Sequence, residues 1–191
     1  MRGDFTKIRE YAEKCHKDAN CEYAGGSYMI HVDKVVYVID TYQDVFLRPI
    51  DAEITKAAAY GHDLQEDARQ TVNDMKDIIG VEAARVVLRV TDVPAENRLM
   101  KHLLTMGKTV EDYRAIILKM ADIWSNATFS KTSGSSMYSK YVQEYQYRKP
   151  IFQLALKWYA EYLNQNVLKD LWAELDYAHE MKGTYLNLKL V

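Results

Sequence analysis

The sequence predicts one all-α domain, and three observations carry that prediction. Apolar residues recur at three- and four-residue spacings along nearly the whole chain, the spacing of one helix face. Only three prolines (Pro49, Pro94 and Pro150) and eight glycines punctuate the 191 residues. No internal repeat and no linker-like stretch divides them, and this length is enough for one real core. The expectation is a single helical bundle of about eight to ten helices over residues 1–191, with the helices of 135–182 completing it.

A first helix is expected over 4–16, with Phe5, Ile8, Tyr11, Ala12 and Cys15 on one face. "EYAGGSY" reads as a loop, because Gly25-Gly26 offers backbone freedom that a helix does not need. A second helix follows His31, with Val32, Val35, Val36 and Ile39 inward. A third starts after Asp51 as N-cap and runs through Ala57, Ala58 and Ala59 into "GHDLQEDA". Thr71 and Asp74 have capping-box spacing, and Gly80 ends that short helix. "VEAARVVLRVTD" is richly apolar and expected to be central. Helices over 95–106 and 110–126 follow, the latter capped by Thr109. "FSKTSGSSM" reads as a flexible loop carrying Lys131, and Pro150 as the first turn of a new helix. Helices over 151–163 and 166–182 close the chain, with Trp158, Trp172 and Leu175 in the core.

Composition excludes several functions. A formal net charge of −2 gives no field for DNA, RNA or an anionic membrane. No apolar run is long enough to span a bilayer. The opening "MRGDFTKIREYAEK" is amphipathic and contains acids, unlike a signal peptide. Cys15 and Cys21 are spaced unlike a zinc pair and read as reduced thiols, which points to the cytoplasm.

Chemistry concentrates in "AAYGHDLQEDA", residues 58–68. On a continuous helix His62 and Glu66 share a face, as do Asp63 and Asp67. Imidazole with carboxylate suits Mn²⁺, Fe²⁺ or Zn²⁺, although a His-Asp pair alone is more commonly a helix-surface pair. "SYMIHV" sets His31 among apolar residues, and "ILKMADIWSN" does the same for Asp122. A carboxylate buried there must be paired with a cation or bind a metal.

In that order, His31, His62-Asp63 and Asp122 resemble the H…HD…D pattern of HD-domain phosphohydrolases. The surroundings resemble the hydrolase domain of RelA/SpoT-type alarmone enzymes and of small alarmone hydrolases. "SYMIHV" is similar to that family's PYxxHP, "GHDLQEDA" to LHDxxEDT, "VLRVTD…ENRLMK" to VxxLTD with the stretch after it, and "DYRAIILKMADIWSNA" to DxRVxLxKLADRLHNM. The resemblance spans about residues 5–130.

It implies that His31, His62, Asp63 and Asp122 hold a divalent metal, usually Mn²⁺, with Fe²⁺ or Zn²⁺ also suited to the donors. It implies that Glu66 and Asp67 handle the attacking water, and that the 3′-pyrophosphate of (p)ppGpp is removed. Asn126, Lys119 and Arg98 match polar family positions that would face the nucleotide. Tyr28, Lys17 and Tyr145 are further candidate substrate contacts, and His16 a candidate packing histidine. Helical hydrolases of this kind often pair, so a homodimer is left open.

The chain departs from the family where the base should be read. The family's Arg-Lys pair is replaced near Asn20, Cys21 and Glu22, Ile123 stands in place of an Arg, and Ala68 in place of a Thr. Guanidinium and carboxylate are not interchangeable in such a role. An adenine alarmone such as ppApp, the 2′-phosphate of NADPH, an ordinary NMP or NTP, or a nucleotide sensed without turnover therefore remain alternatives.

Overall fold

The computed structural model describes residues 4–180. Its elements, in order, are α1 (Thr6–Asp18), a hairpin of β1 (Glu22–Tyr23) and β2 (Gly26–Ser27), α2 (Met29–Thr41), α3 (Pro49–Gly61), α4 (Val72–Ile79), α5 (Val81–Val90), α6 (Arg98–Thr109), α7 (Tyr113–Thr132), α8 (Met137–Trp158) and α9 (Gln165–Ala178). The all-α reading holds, with nine α-helices among the described residues.

The core is built around α7. Ile116, Ile117, Leu118, Met120, Ala121 and Ala127 are all buried, so this helix is apolar nearly all round. Such a helix belongs inside a bundle. It packs against α2, α3, α5, α6, α8 and α9. The central role expected of α5 therefore falls to α7, while α5 buries Ala83, Ala84, Val86, Val87 and Val90 against α3 and α4. The turn between α8 and α9 is tied to the α2–α3 connection by Leu47 N–H donating to Tyr162 O (3.1 Å) and Asn164 N–H to Val45 O (2.8 Å).

Local signals were kept where nothing competed. Thr71 and Asp74 form the capping box that opens α4. Elsewhere tertiary contacts moved the boundaries. "EYAGGSY" is not a plain loop but a hairpin, whose turn residues Ala24 and Gly25 both have positive φ (56° and 75°), as a two-residue turn of this hand requires. α2 starts ahead of His31. α3 opens with Pro49 in its first turn, so Asp51 is not the N-cap. Asp51 is instead buried and accepts bonds from Arg48 and the Tyr113 hydroxyl. α7 is capped by Asp112, whereas Thr109 ends α6 and donates its hydroxyl proton to a backbone carbonyl there.

The C-terminal third differs most. α7 runs on through Phe129–Thr132, shrinking the expected loop to 133–136. α8 is continuous through Pro150, which was expected to begin a new helix. Trp158 is 81% exposed rather than in the core, while Leu175 is buried and Trp172 half-buried. The last two residues of the helix expected over 166–182 lie outside the described residues.

Candidate metal centre

His31 sits in the first turn of α2, and His62 immediately follows α3. The backbone beneath His62 is held close to its neighbours. A Cβ on Gly61 would meet Ile79 Cδ1 at 3.1 Å and Val87 Cγ2 at 3.5 Å. α3 ends at Gly61, so "HDLQED" is a turn beyond the helix and not a continuation of it. Asp67 N–H still donates to Asp63 O (2.9 Å), which preserves one helix-like step and keeps Asp63 and Asp67 on one side.

Both imidazoles are aimed by their far nitrogens. His62 Nδ1–H donates to Ala59 O (2.8 Å). A carbonyl can only accept, so a neutral His62 carries its lone pair on Nε2. His31 Nδ1 lies 3.1 Å from Ser125 Oγ, which leaves its Nε2 facing the same point. The two Nε2 atoms are 3.1 Å apart. Asp63 Oδ2 is 3.3 Å from His31 Nε2 and 3.1 Å from His62 Nε2. Asp122 Oδ1 is 3.4 Å and 4.0 Å from the same two atoms. The ligating atoms of His31, His62 and Asp63 all lie within 4.8 Å of one another, as in a metal-binding group.

The electrostatics ask for positive charge at this point. Burial works against a charged imidazole, yet hydrogen bonds to Asp122 and Asp63 raise His31 to about 9. His62 is raised as well, against its own burial, chiefly by the Asp63 charge. Burial would raise both carboxyls, but the His62 charge and the bonds from His31 and His62 hold Asp63 well below the usual range, and Lys119 with His31 does the same for Asp122. Two imidazole lone pairs facing each other beside two carboxylates form a stable set only around a proton or a metal cation. These donors fit a borderline divalent ion.

Around this cluster the expected residues take specific places. Asp122 Oδ2 pairs with Lys119 Nζ (2.9 Å), and its Oδ1 accepts from Asn126 Nδ2 (2.6 Å). Lys119 and Asn126 thus both hold Asp122. Glu66 Oε1 accepts the Asp92 backbone N–H (2.6 Å) at the rim. The Tyr28 hydroxyl lies 2.7 Å from Asp63 Oδ2 and 2.5 Å from Asp67 Oδ2. It has one proton to give, so it bridges a ligand candidate and a rim carboxyl. Burial raises both Glu66 and Asp67, and the Asp63 charge raises Asp67 further. Tyr28 stacks on His16 (centroids 4.2 Å apart), a buried histidine that burial lowers to about 4 and keeps neutral.

Three candidates are not brought to the cluster. Arg98 pairs with the buried Glu144 and anchors α6 to α8. Tyr145 is buried between α8 and α9, donates to Asp176 Oδ1 (2.8 Å) and stacks on His179, so it does not wall the site. Lys17 is exposed on α1 and makes no contact with the cluster among the described residues. A groove of about 810 Å³ lies elsewhere, between α8 and α9 beside Leu154, Leu168 and Trp172.

Sequence reasoning passed over Ser125, Tyr23 and Phe129. Phe129 could have been found, because it stands seven residues after Asp122 on the same helix stripe. Tyr23 carried no such signal, since only the hairpin brings it to His31 (centroids 5.1 Å apart).

No protein-family model and no curated protein matches the chain. Among solved structures, one described as a metazoan orthologue of SpoT that hydrolyses ppGpp and plays a role in starvation responses superposes with a TM-score of 0.69. The identity is 18%, and the match covers 96% of this chain and 99% of that one. The chain shares the fold of that protein. In this bundle the donor cluster lies where α2, the turn after α3, and α7 meet.

Proposed function

We propose that this chain is a divalent-metal phosphohydrolase that removes the 3′-pyrophosphate from an alarmone such as (p)ppGpp or ppApp. One observation carries the reading. His31, His62, Asp63 and Asp122 converge on a point with paired carboxyls at its rim. Its support from outside is the shared fold with a protein described as hydrolysing ppGpp.

His31, His62, Asp63 and Asp122 would hold the ion, Mn²⁺ by resemblance and Fe²⁺ or Zn²⁺ by donor chemistry. When bound, it supplies Lewis acidity for phosphoryl chemistry near neutral pH. Ser125 and the Ala59 carbonyl fix the imidazole orientations, while Lys119 and Asn126 fix Asp122. Glu66 and Asp67 stand at the rim as carboxylates, and one of the two takes the proton of the attacking water. The water oxygen bonds to phosphorus, the P–O3′ bond breaks, and the proton held by the carboxylate passes to O3′, releasing pyrophosphate and GDP, GTP or, from ppApp, ADP. Tyr28, between Asp63 and Asp67, orients the rim carboxyl.

A second substrate is favoured by one feature, the segment Asn20–Glu22 leading into the hairpin, which stands where the family carries cations. The test is therefore a panel. Protein with Mn²⁺ is offered ppGpp, pppGpp, ppApp, NADPH, NMPs and NTPs, with Asp63→Ala as control. Pyrophosphate released from ppGpp or ppApp, and lost in the variant, is the expected result. Turnover of another nucleotide alone would redirect the substrate and keep the centre. Metal binding with no turnover of anything would overturn the reading in favour of a nucleotide-sensing module.

A further inference from the structure

Aromatic rings crowd the mouth of the metal centre, and nothing in the proposed hydrolysis uses them. Tyr23 ends β1, just ahead of the positive-φ turn at Ala24 and Gly25. The hairpin that carries it is pinned at both feet to the "HDLQED" turn. Cys21 Sγ–H donates to Asp67 O (3.3 Å), and Tyr28 reaches Asp63 and Asp67. This delivers the Tyr23 ring onto the face of His31, with centroids 5.1 Å apart and planes 30° apart. Phe129 stands 4.6 Å from the Tyr23 centroid, with Lys34 Nζ 4.9 Å from the Phe129 ring centre.

Asp122, Asn126 and Phe129 fall on one stripe of α7, so the ring tops the row that ends in the donor cluster. On α8, Tyr141 is half-buried, with the Arg98 guanidinium 6.0 Å from its ring centre. The Tyr23 hydroxyl has no hydrogen-bond partner among the described residues.

A polar metal site flanked by half-buried rings is suited to a ligand with a phosphate at one end and a flat π-system at the other. We propose that Tyr23, with Phe129 beside it, is a stacking platform for the nucleobase of a substrate whose phosphate is held at the metal centre. Tyr23 is thereby a specificity-determining residue that reads the base through its face. The inference rests on the phosphohydrolase reading and adds the means of base selection. Stacking tolerates any base with a π-face, because it uses no edge hydrogen bonds. The platform therefore accepts guanine and adenine alike and prefers both to the smaller pyrimidines.

The test is titration calorimetry on the full chain with Mn²⁺, using guanosine 3′,5′-bisphosphate, adenosine 3′,5′-bisphosphate and inorganic pyrophosphate as probes. Wild-type protein is expected to bind the two bisphosphates within about 3-fold of each other, and Tyr23→Leu to weaken both by roughly 10-fold or more, the scale of one lost base–aromatic stack. Tyr23→Phe keeps the ring and should bind like wild type. Pyrophosphate has no base, so its unchanged binding to Tyr23→Leu also shows that the variant is folded around an intact centre. Tyr23→Leu binding the bisphosphates as wild type does, or losing pyrophosphate to the same degree, overturns the platform and leaves the metal centre standing. A wild-type protein that binds no pyrophosphate at all strikes the phosphohydrolase reading itself, and the platform falls with it.

Discussion

Ser125 shows how much one hydroxyl can decide. It touches His31 only at Nδ1, on the side away from the donor cluster. Removing it frees the ring to turn without removing a ligand. Ser125→Ala should lower Mn²⁺ affinity about 10- to 100-fold, the usual effect of losing a partner behind a ligating histidine. Competition against a chelating dye would read this, and an unchanged affinity would mean that His31 is not held as a ligand. His179 gives a separate test far from the centre. Burial lowers it to about 4, and the nearby Arg148 and Lys131 charges lower it further, against the opposing pull of the Leu175 carbonyl and Asp176. The folded state thus binds fewer protons than the unfolded chain, so stability is full above about pH 6.5 and falls as pH drops toward 4. His179→Phe keeps the ring against Tyr145 and should flatten that fall when thermal midpoints are compared from pH 8 to pH 5. At this scale, the convergence of His31, His62, Asp63 and Asp122 was legible because residue type and order survive without a structure. That Lys119 and Asn126 point at Asp122 was not, because three residues on one helix can share a face without showing where their polar ends meet.

Elements were legible where their signals are local. The Thr71–Asp74 box opens α4 because both halves of it lie within one turn. Thr71→Ala should cost about 1 kcal/mol by chemical denaturation, as for a lost N-cap. α8 was misread for the opposite reason. Pro150 is a local stop signal, but Glu144, Tyr145 and Lys149 before it and Phe152 and Leu156 after it are all buried on the same side of the bundle. Packing on both sides holds the helix through the break. The proline still removes one backbone donor and crowds the carbonyl of Gln146. An interior proline costs a helix about 3 kcal/mol, against about 0.4–1 kcal/mol gained by stiffening the unfolded chain. The first is larger, so Pro150→Ala should stabilise the protein by about 2 kcal/mol. A variant less stable than wild type would show that α8 needs the distortion. The hairpin was hidden because its turn residues, Ala24 and Gly25, also suit an open loop, and its placement depends on Cys21 and Tyr28 reaching a distant turn.

At the scale of the molecule, helical periodicity was enough to foresee a bundle, but not that α7 would be its centre, since an all-round apolar helix has no stripe to point with. That arrangement has a thermodynamic consequence. The donors come from α2, from the turn after α3 and from α7, which are distant in the chain and meet only when the core has formed. The unfolded chain has no such site, so under the proposed reading metal binding would be linked to folding. At 100 times its Kd, an ion that binds only the native state adds about 2.7 kcal/mol. For a chain of this size that is about 5–10 °C in Tm. The size of the shift should depend on pH with a definite sign. Without metal a proton does the cation's work, and His31, raised to about 9, stabilises the fold fully below pH 6.5 and loses that contribution as pH rises through 9. Protons and metal compete for the same lone pairs, so the Mn²⁺-induced rise in Tm should be larger at pH 8 than at pH 6. A chelator should reverse it, Asp63→Ala should abolish it, and Tyr23→Leu should retain it. Equal shifts in wild type and Asp63→Ala would place the ion elsewhere on the protein. No shift at any pH would mean that these four side chains answer to protons alone.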